Sequence, residues 1–289
     1  MNAISARTAF VFAGGGSLGA VQVGMLHALT EHSLRPDFVV GASAGAINAA
    51  YFAANPTPDG VASLDRLWCG MTRRQVMPMR VRDLFRIATR RAYVVDPSAL
   101  RRLLERHLPY LLLEQTTIPL HVVATDMVLG VERLLSAGSV VDAVMASAAI
   151  SGVFPPVRIG DRDLIDGGVA NNTPISTALA LGATRVFVLP TGFSCALRSV
   201  PKSAVGRALH ALSLLVTRQL VNDIERFGAS VALHVVPPLC PVDSSPYDYS
   251  ASASLISRAR ETTRDWIRGG GIDRPHGVPH QMTEHSHSQ

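Results

Sequence analysis

Cysteine is scarce. Cys69, Cys195 and Cys240 are the only three in 289 residues, and no C-x-x-C or Cys/His ligand spacing joins them. That excludes a disulfide scaffold, and the odd, widely spaced set reads as free thiols in a reducing compartment. H-E-x-x-H and EF-hand loops are absent too, so no metal is expected. No apolar run is long enough to span a bilayer, and Met1 to Thr8 lack the apolar stretch of a signal peptide. A cytoplasmic protein, at most peripheral at a membrane, is the expectation. Aromatic residues make up only 6% and do not interleave with basic ones, which argues against nucleic acid as a partner. Charged residues are 17% against 47% hydrophobic, which excludes a disordered chain. No internal repeat is found.

Strands and helices alternate from Phe10 onward. That order predicts an α/β fold with a central, mainly parallel sheet covered on both faces. Crossover helices are expected near 20–32, 44–54, 139–150 and 174–182. Further strands are expected at Ile118–Ala124, Thr184–Leu189 and Val231–Val236, a loop at 193–201, and helices at 203–228 and 250–268. The Ala- and Ser-rich stretch from Val140 to Phe154 reads as a buried helix.

Three motifs carry chemistry. Gly41-Ala42-Ser43-Ala44-Gly45 reads G-x-S-x-G between an apolar strand (Phe38-Val39-Val40) and a helix former run beginning at Ala46. A serine on such a turn is exposed in a tight conformation, Gly41 and Gly45 leave room for the close backbone approach, and the following helix directs N–H groups at developing negative charge. The bland alternative is a small-residue turn packing helix on sheet. About 25 residues earlier, Gly14-Gly15-Gly16-Ser17-Leu18-Gly19 follows the strand Phe10–Ala13. Successive glycines there can present N–H groups to a phosphate or to an acyl-transfer oxyanion. The same loop matches G-x-G-x-x-G, so a nucleotide-binding oxidoreductase is a second reading. It lacks the acidic residue that should close the second strand, since that strand ends in Ser43, whereas Asp37 precedes it. The third motif, Asp166-Gly167-Gly168, ends a hairpin turning at Gly160-Asp161; alone it is a good turn and nothing more.

In this order the three motifs resemble those of the patatin-like phospholipase family. Met145 to Pro156 resembles that family's small-residue helix and proline turn, and Asp166 to Pro174 its Asp-Gly-Gly segment with a downstream Asn-x-Pro. The resemblance covers about residues 8 to 190. It implies a three-layer α/β/α sandwich and a serine lipid acyl hydrolase that acts through an acyl-enzyme without a cofactor. Ser43 would be the nucleophile and Asp166 its partner in a dyad without histidine. Gly14, Gly15 and Gly16 would form the oxyanion hole, and Gly167 and Gly168 the supporting loop. A non-catalytic lipid-binding module of the same family is a third reading, opposed by the intact Ser, Asp and glycine positions. Leu18 departs from the family's frequent Arg or Lys just before the last loop glycine, which puts the substrate in doubt more than the chemistry.

His210 and His234 follow Asp166, as a hydrolase triad would require, but lie in an expected helix and strand instead of a loop. His27, His107 and His121 read as surface or structural. The formal charge is +5, and ten arginines lie between Met71 and Arg106 against Asp83, Asp96 and Glu105. Val81, Leu84, Phe85 and Ala88 recur there at helical spacing. This basic stretch is expected to form a helical cap at about 55–117 within one catalytic domain, 8–268, with an N-terminal arm, 1–7, and a disordered tail, 269–289. It could meet an anionic membrane, or simply be the wet face of packed helices. The substrate would be an acyl lipid; oligomeric state is left open.

Overall fold

The protein's structure, a computed structural model, describes residues 6–77, 95–192, 204–240, 242, 245, 247–275, 278–279 and 282. Five strands run parallel: β1 (Thr8–Phe12), β2 (Phe38–Ala42), β3 (Leu120–Asp126), β7 (Arg185–Leu189) and β8 (Ala232–Val235), in the order β3-β2-β1-β7-β8. Antiparallel strands β4 (Glu132–Leu135) and β6 (Arg162–Ile165) pair with β3, and β5 (Val157–Ile159) pairs with β6.

Successive strand side chains point to opposite faces, and here both faces are buried. Phe10, Phe12, Val39, Val122 and Phe187 join one core, whereas Ala9, Val11, Val40, Val123 and Val188 join the other. The first core is closed by α1 (Gly19–Glu31), α2 (Ala44–Ala54), α3 (Pro58–Gly70) and the helix Ser252–Arg268; the second by the helices Ile175–Ala180 and Ala204–Phe227. The expected three-layer α/β/α arrangement follows. Helix α1 lies between the sheet and the helix 252–268, which is why its residues from Gly19 to Thr30 are all buried and its sequence has no polar face. Gly24 sets the closeness of that packing: a Cβ there would overlap the Ile256 carbonyl and lie 2.7 Å from Ala259 Cβ. Gly24→Ala is therefore expected to destabilise the fold by about 1–3 kcal/mol, read as a lower urea midpoint with an unchanged m-value.

Several expectations need correction. Cys240 is disulfide-bonded, not a free thiol; Cys69 is free. Spacing along the chain says nothing about which sulfurs meet in space, and Cys195 lies outside the described residues. Met282 is 4% exposed and packs into the second core, and Ile272 packs against the first, so part of the expected disordered tail is packed. A few apolar residues in a Gly- and His-rich stretch suffice. Of the expected cap, α3 belongs to the main core through Val61, Leu64 and Trp68, and the helix Ser98–His107 through Leu100 and Leu104. Val81, Leu84, Phe85 and Ala88 lie outside the described residues, as does His210's side chain.

Candidate active site

The register of the sheet brings the distant motifs together. Val122 and Val123 pair with β2 on one side and β4 on the other, while Thr125 pairs with β4 and with Ile165 of β6. A strand has two edges, so β2 and β6 follow one another along the same edge of β3. The residue after β2 is Ser43; the residue after β6 is Asp166. Ser43 Oγ donates a 2.7 Å hydrogen bond to Asp166 Oδ2.

Ser43 has φ 53° and ψ −125°, a left-handed conformation costly for a residue with a Cβ, on the order of 1–3 kcal/mol. Neighbours hold it there. Its N–H donates to Ser147 Oγ at 2.8 Å, Ser147 Oγ donates to the Val123 carbonyl at 2.5 Å, and the Ser43 carbonyl accepts from Ala46 N–H at 2.9 Å. On either side, Gly41 and Gly45 have no space for a side chain: a Cβ on Gly41 would lie 2.5 Å from the Gly45 carbonyl, and one on Gly45 would overlap the Phe12 carbonyl.

Asp166 is tied as firmly. Its Oδ1 accepts from Gly168 N–H at 2.8 Å, its carbonyl from Thr125 Oγ at 2.8 Å, and its N–H donates to the Ala149 carbonyl at 3.0 Å. Gly167 N–H donates to the Ser147 carbonyl at 3.0 Å. Burial pushes the Asp166 carboxyl up to about 6, against the smaller opposing pull of the Ser43 hydroxyl and Gly168 N–H. The ordinary aspartate value of about 3.9 would make a poor base; burial makes this one better.

The glycine loop passes over the pair. A Cβ on Gly14 would lie 3.0 Å from Ser43 Cβ. Gly14 N–H is already committed to the Asn172 carbonyl at 3.0 Å, and its carbonyl accepts from Thr191 Oγ at 2.7 Å. Among the described residues no acceptor meets the N–H groups of Gly15, Gly16 or Ser17, which leaves these as the loop's available donors. Asp37 lies at the far end of β2, where it accepts from Thr8 N–H at 2.6 Å, so this carboxylate does not stand where a ribose would need one. Among the described residues no group of three or more His, Cys, Asp or Glu could hold a metal.

A family model described as patatin-like phospholipase matches residues 10–179. The chain belongs to that family. Relatives include an uncharacterized NTE family protein of Mycobacterium tuberculosis, 32% identical over 63% of this chain and 31% of the relative. Patatin-like phospholipase domain-containing protein 6 of Homo sapiens is 30% identical over 64% of this chain and 13% of its own length. The chain thus spans a third or less of the length of these relatives. Human GIVD cytosolic phospholipase A2, solved with methyl gamma-linolenyl fluorophosphonate, superposes with a TM-score of 0.50 at 11% identity, over 93% of this chain and 58% of that one, a likeness of fold.

In this patatin-like chain a buried polar relay supports the loop. Trp68 Nε1–H donates to Asn48 Oδ1 at 2.7 Å, and Asn48 Nδ2 donates to Gln22 Oε1 at 2.7 Å and to the Gly19 carbonyl at 2.9 Å. Gln22 Nε2 donates to the carbonyls of Ala13 and Leu189, both at 2.8 Å. The relay ties α1, α2, α3 and two strands to the two ends of the loop. The sequence reading missed it, along with Ser147, Asn172 and Thr191; Gln22 and Asn48 in otherwise apolar helices were the available signal. Two of the candidate histidines serve elsewhere. His234 stacks on Phe187 at 4.6 Å between ring centroids, with Nδ1 at 3.1 Å from the Gly271 carbonyl; His27 pairs with Asp65 at 3.0 Å.

A cavity of about 420 Å³ adjoins the loop, bounded by Met71, Thr72, Arg73, Ser245 and the residues from Tyr247 to Ser250. Ser17 Oγ, within the loop, donates to the Ser245 carbonyl at 3.0 Å. Tyr247 lies in the field of Asp166: burial first, then that carboxylate, pushes its phenol up.

Proposed function

We propose that this protein is a serine lipid acyl hydrolase that cleaves carboxyl esters of phospholipids, lysophospholipids or related acyl lipids through a Ser43–Asp166 dyad. The observation that carries the reading is the 2.7 Å hydrogen bond between two buried groups 123 residues apart, under a loop whose Gly15 and Gly16 amides meet no acceptor among the described residues. Asp166 Oδ2 takes the hydroxyl proton as Ser43 Oγ attacks the ester carbonyl carbon, and the carbonyl electron pair moves onto its oxygen. The N–H groups of Gly15 and Gly16 receive that oxyanion. Collapse expels the alkoxide, which regains the proton from Asp166, and leaves an acyl-serine. Water, deprotonated by the same carboxylate, then releases the fatty acid. The cavity beside Tyr247 is where we place the part of the substrate beyond the ester oxygen. No cofactor takes part.

Ser43→Ala is expected to abolish hydrolysis of a chromogenic fatty-acyl ester, a loss of about 10⁴-fold or more, with an unchanged circular-dichroism spectrum. A fluorophosphonate probe should label the wild type at Ser43 and leave the variant unlabelled. Wild-type protein that resists the probe would remove the activated serine and the mechanism with it.

A further inference from the structure

Strands β2 and β3 are parallel, so the loop after β3 leaves the sheet at the same end as Ser43. That loop is unusual in what it shows to water. Met127, Val128, Leu129 and Val131 are all exposed, Val128 at 85%. Its shape is nevertheless fixed. The N–H groups of Val128 and Leu129 donate to Asp126 Oδ1 at 3.1 and 3.0 Å, Gly130 N–H to the Asp126 carbonyl at 2.9 Å, and Met127 N–H to the Asp163 carbonyl at 2.9 Å. Four backbone bonds thus hold four apolar side chains outward.

Two more elements extend this surface. Val169, just past Asp166-Gly167-Gly168, is 59% exposed, and the neighbouring Ala170 N–H reaches Thr125 Oγ at 3.1 Å. The helix Ala204–Phe227 leads into β8, which runs parallel to β7, so the helix begins at the Ser43 end of the sheet. Gln219 donates to the Ala170 carbonyl at 3.4 Å, and Leu215 and Leu214, about one turn earlier, are exposed. Contiguous exposed apolar side chains on one end of a folded chain mark an interaction surface.

Charge identifies the occupant. From Ala204 to Asn222 the helix carries Arg207 and Arg218, both exposed, and no carboxylate. Of the acids near the hairpin, Asp126 is committed to Arg133 and Arg162 at 3.3 and 2.7 Å, Glu132 to Asn171 and Thr177, and Asp163 to Arg158 at 3.1 Å, while Asp161, exposed, lies 3.7 Å from Arg162. Apolar tips backed by cations fit the acyl and phosphate layers of a bilayer. We propose that the rim formed by the 127–131 hairpin tip, Val169 and Leu214–Leu215 is the face this protein lays into a lipid surface, which brings the Ser43–Asp166 pair to the membrane. The choice of lipid rests on the hydrolase reading above. The arginine-rich segment 71–106, which the sequence left open between a membrane contact and the wet face of packed helices, lies in large part (78–94) outside the described residues.

The test uses the full chain. In a Ser43→Ala background, sedimentation with vesicles of phosphatidylcholine, and of phosphatidylcholine with phosphatidylglycerol, is compared for the parent, for Val128→Glu with Leu129→Glu, and for Leu215→Glu. Each acidic variant is expected to bind at least tenfold more weakly, and the parent to favour the anionic vesicles. With Ser43 intact, the same variants should lose hydrolysis of vesicle lipid in step, yet hydrolyse a soluble short-chain ester at the wild-type rate and melt at the wild-type temperature. Unchanged vesicle binding in both variants, or a parent that binds neither vesicle, overturns the proposal. So does a parent dimer that the variants dissociate while vesicle binding persists, which would make the rim a self-association surface. Wild-type protein inert toward the soluble ester would instead sink the hydrolase reading and leave the vesicle arm to be judged alone.

Discussion

Asp166→Asn is expected to lower kcat by about 10³–10⁴-fold with little change in KM, because in the proposed dyad the carboxylate acts on a proton that moves only in the transition state. The pH profile makes the expectation specific. With the carboxyl pushed up to about 6 by burial, the wild type should lose activity below that pH with a slope of one, and the variant's residual activity should lack this limb. Stability provides an independent readout. A carboxyl whose pKa is raised in the folded state binds its proton more tightly there than when unfolded. Its contribution is therefore fully present below the unfolded value of about 3.8 and is lost as pH rises through about 6. The loss is on the order of 3 kcal/mol, since each unit of pKa is worth about 1.4 kcal/mol. Urea midpoints measured from pH 4 to 8 should show this fall in the wild type and not in the asparagine variant. A variant that keeps wild-type kcat while folded, or one that keeps the limb near pH 6, would remove Asp166 from the chemistry. The site is thus held at a cost to the fold: a strained serine and a buried carboxylate are both retained where the protein would be more stable without them.

Much of this was legible in the chain. The parallel sheet, α1, α2 and the hairpin turning at Gly160-Asp161 follow from alternation, apolar runs and turn residues, because those are local signals. The approximate positions of Ser43, Asp166 and the glycine loop followed from motifs at strand ends. What did not follow depends on three-dimensional neighbours. Nothing local to Asp166 reports the burial that raises its pKa. Gly14 reads like Gly15 and Gly16, yet its N–H is spent on the Asn172 carbonyl, 158 residues away. Trp68 sits in a segment expected to form part of a cap, and only packing shows it donating to Asn48 beneath the loop. Cys240 could be assigned no partner from spacing. The exposed tip at 127–131 escaped notice because an apolar run reads as buried unless the turn that displays it is seen.

Gly15→Ala tests the other half of the site. Gly15 lies against Thr191 so closely that a Cβ there would overlap the threonine hydroxyl, and that hydroxyl donates to the Gly14 carbonyl at 2.7 Å. The added methyl leaves two ways out. Either Thr191 turns away and Gly14 loses its bond, or the loop backbone shifts; both displace the Gly15 and Gly16 N–H groups relative to Ser43. A misplaced oxyanion donor removes about 10²–10³ from kcat, whereas overpacking at one site destabilises by about 1–3 kcal/mol. The expected variant is therefore folded, slow, and still able to bind substrate, with fluorophosphonate labelling of Ser43 slowed in proportion to kcat. Thr191→Gly alone deletes the bond to the Gly14 carbonyl without placing a methyl at residue 15, so a smaller loss of kcat there than in Gly15→Ala would assign the remainder to displacement of the loop backbone. Wild-type turnover in the single variant would mean that the amides of residues 15 and 16 do not receive the oxyanion.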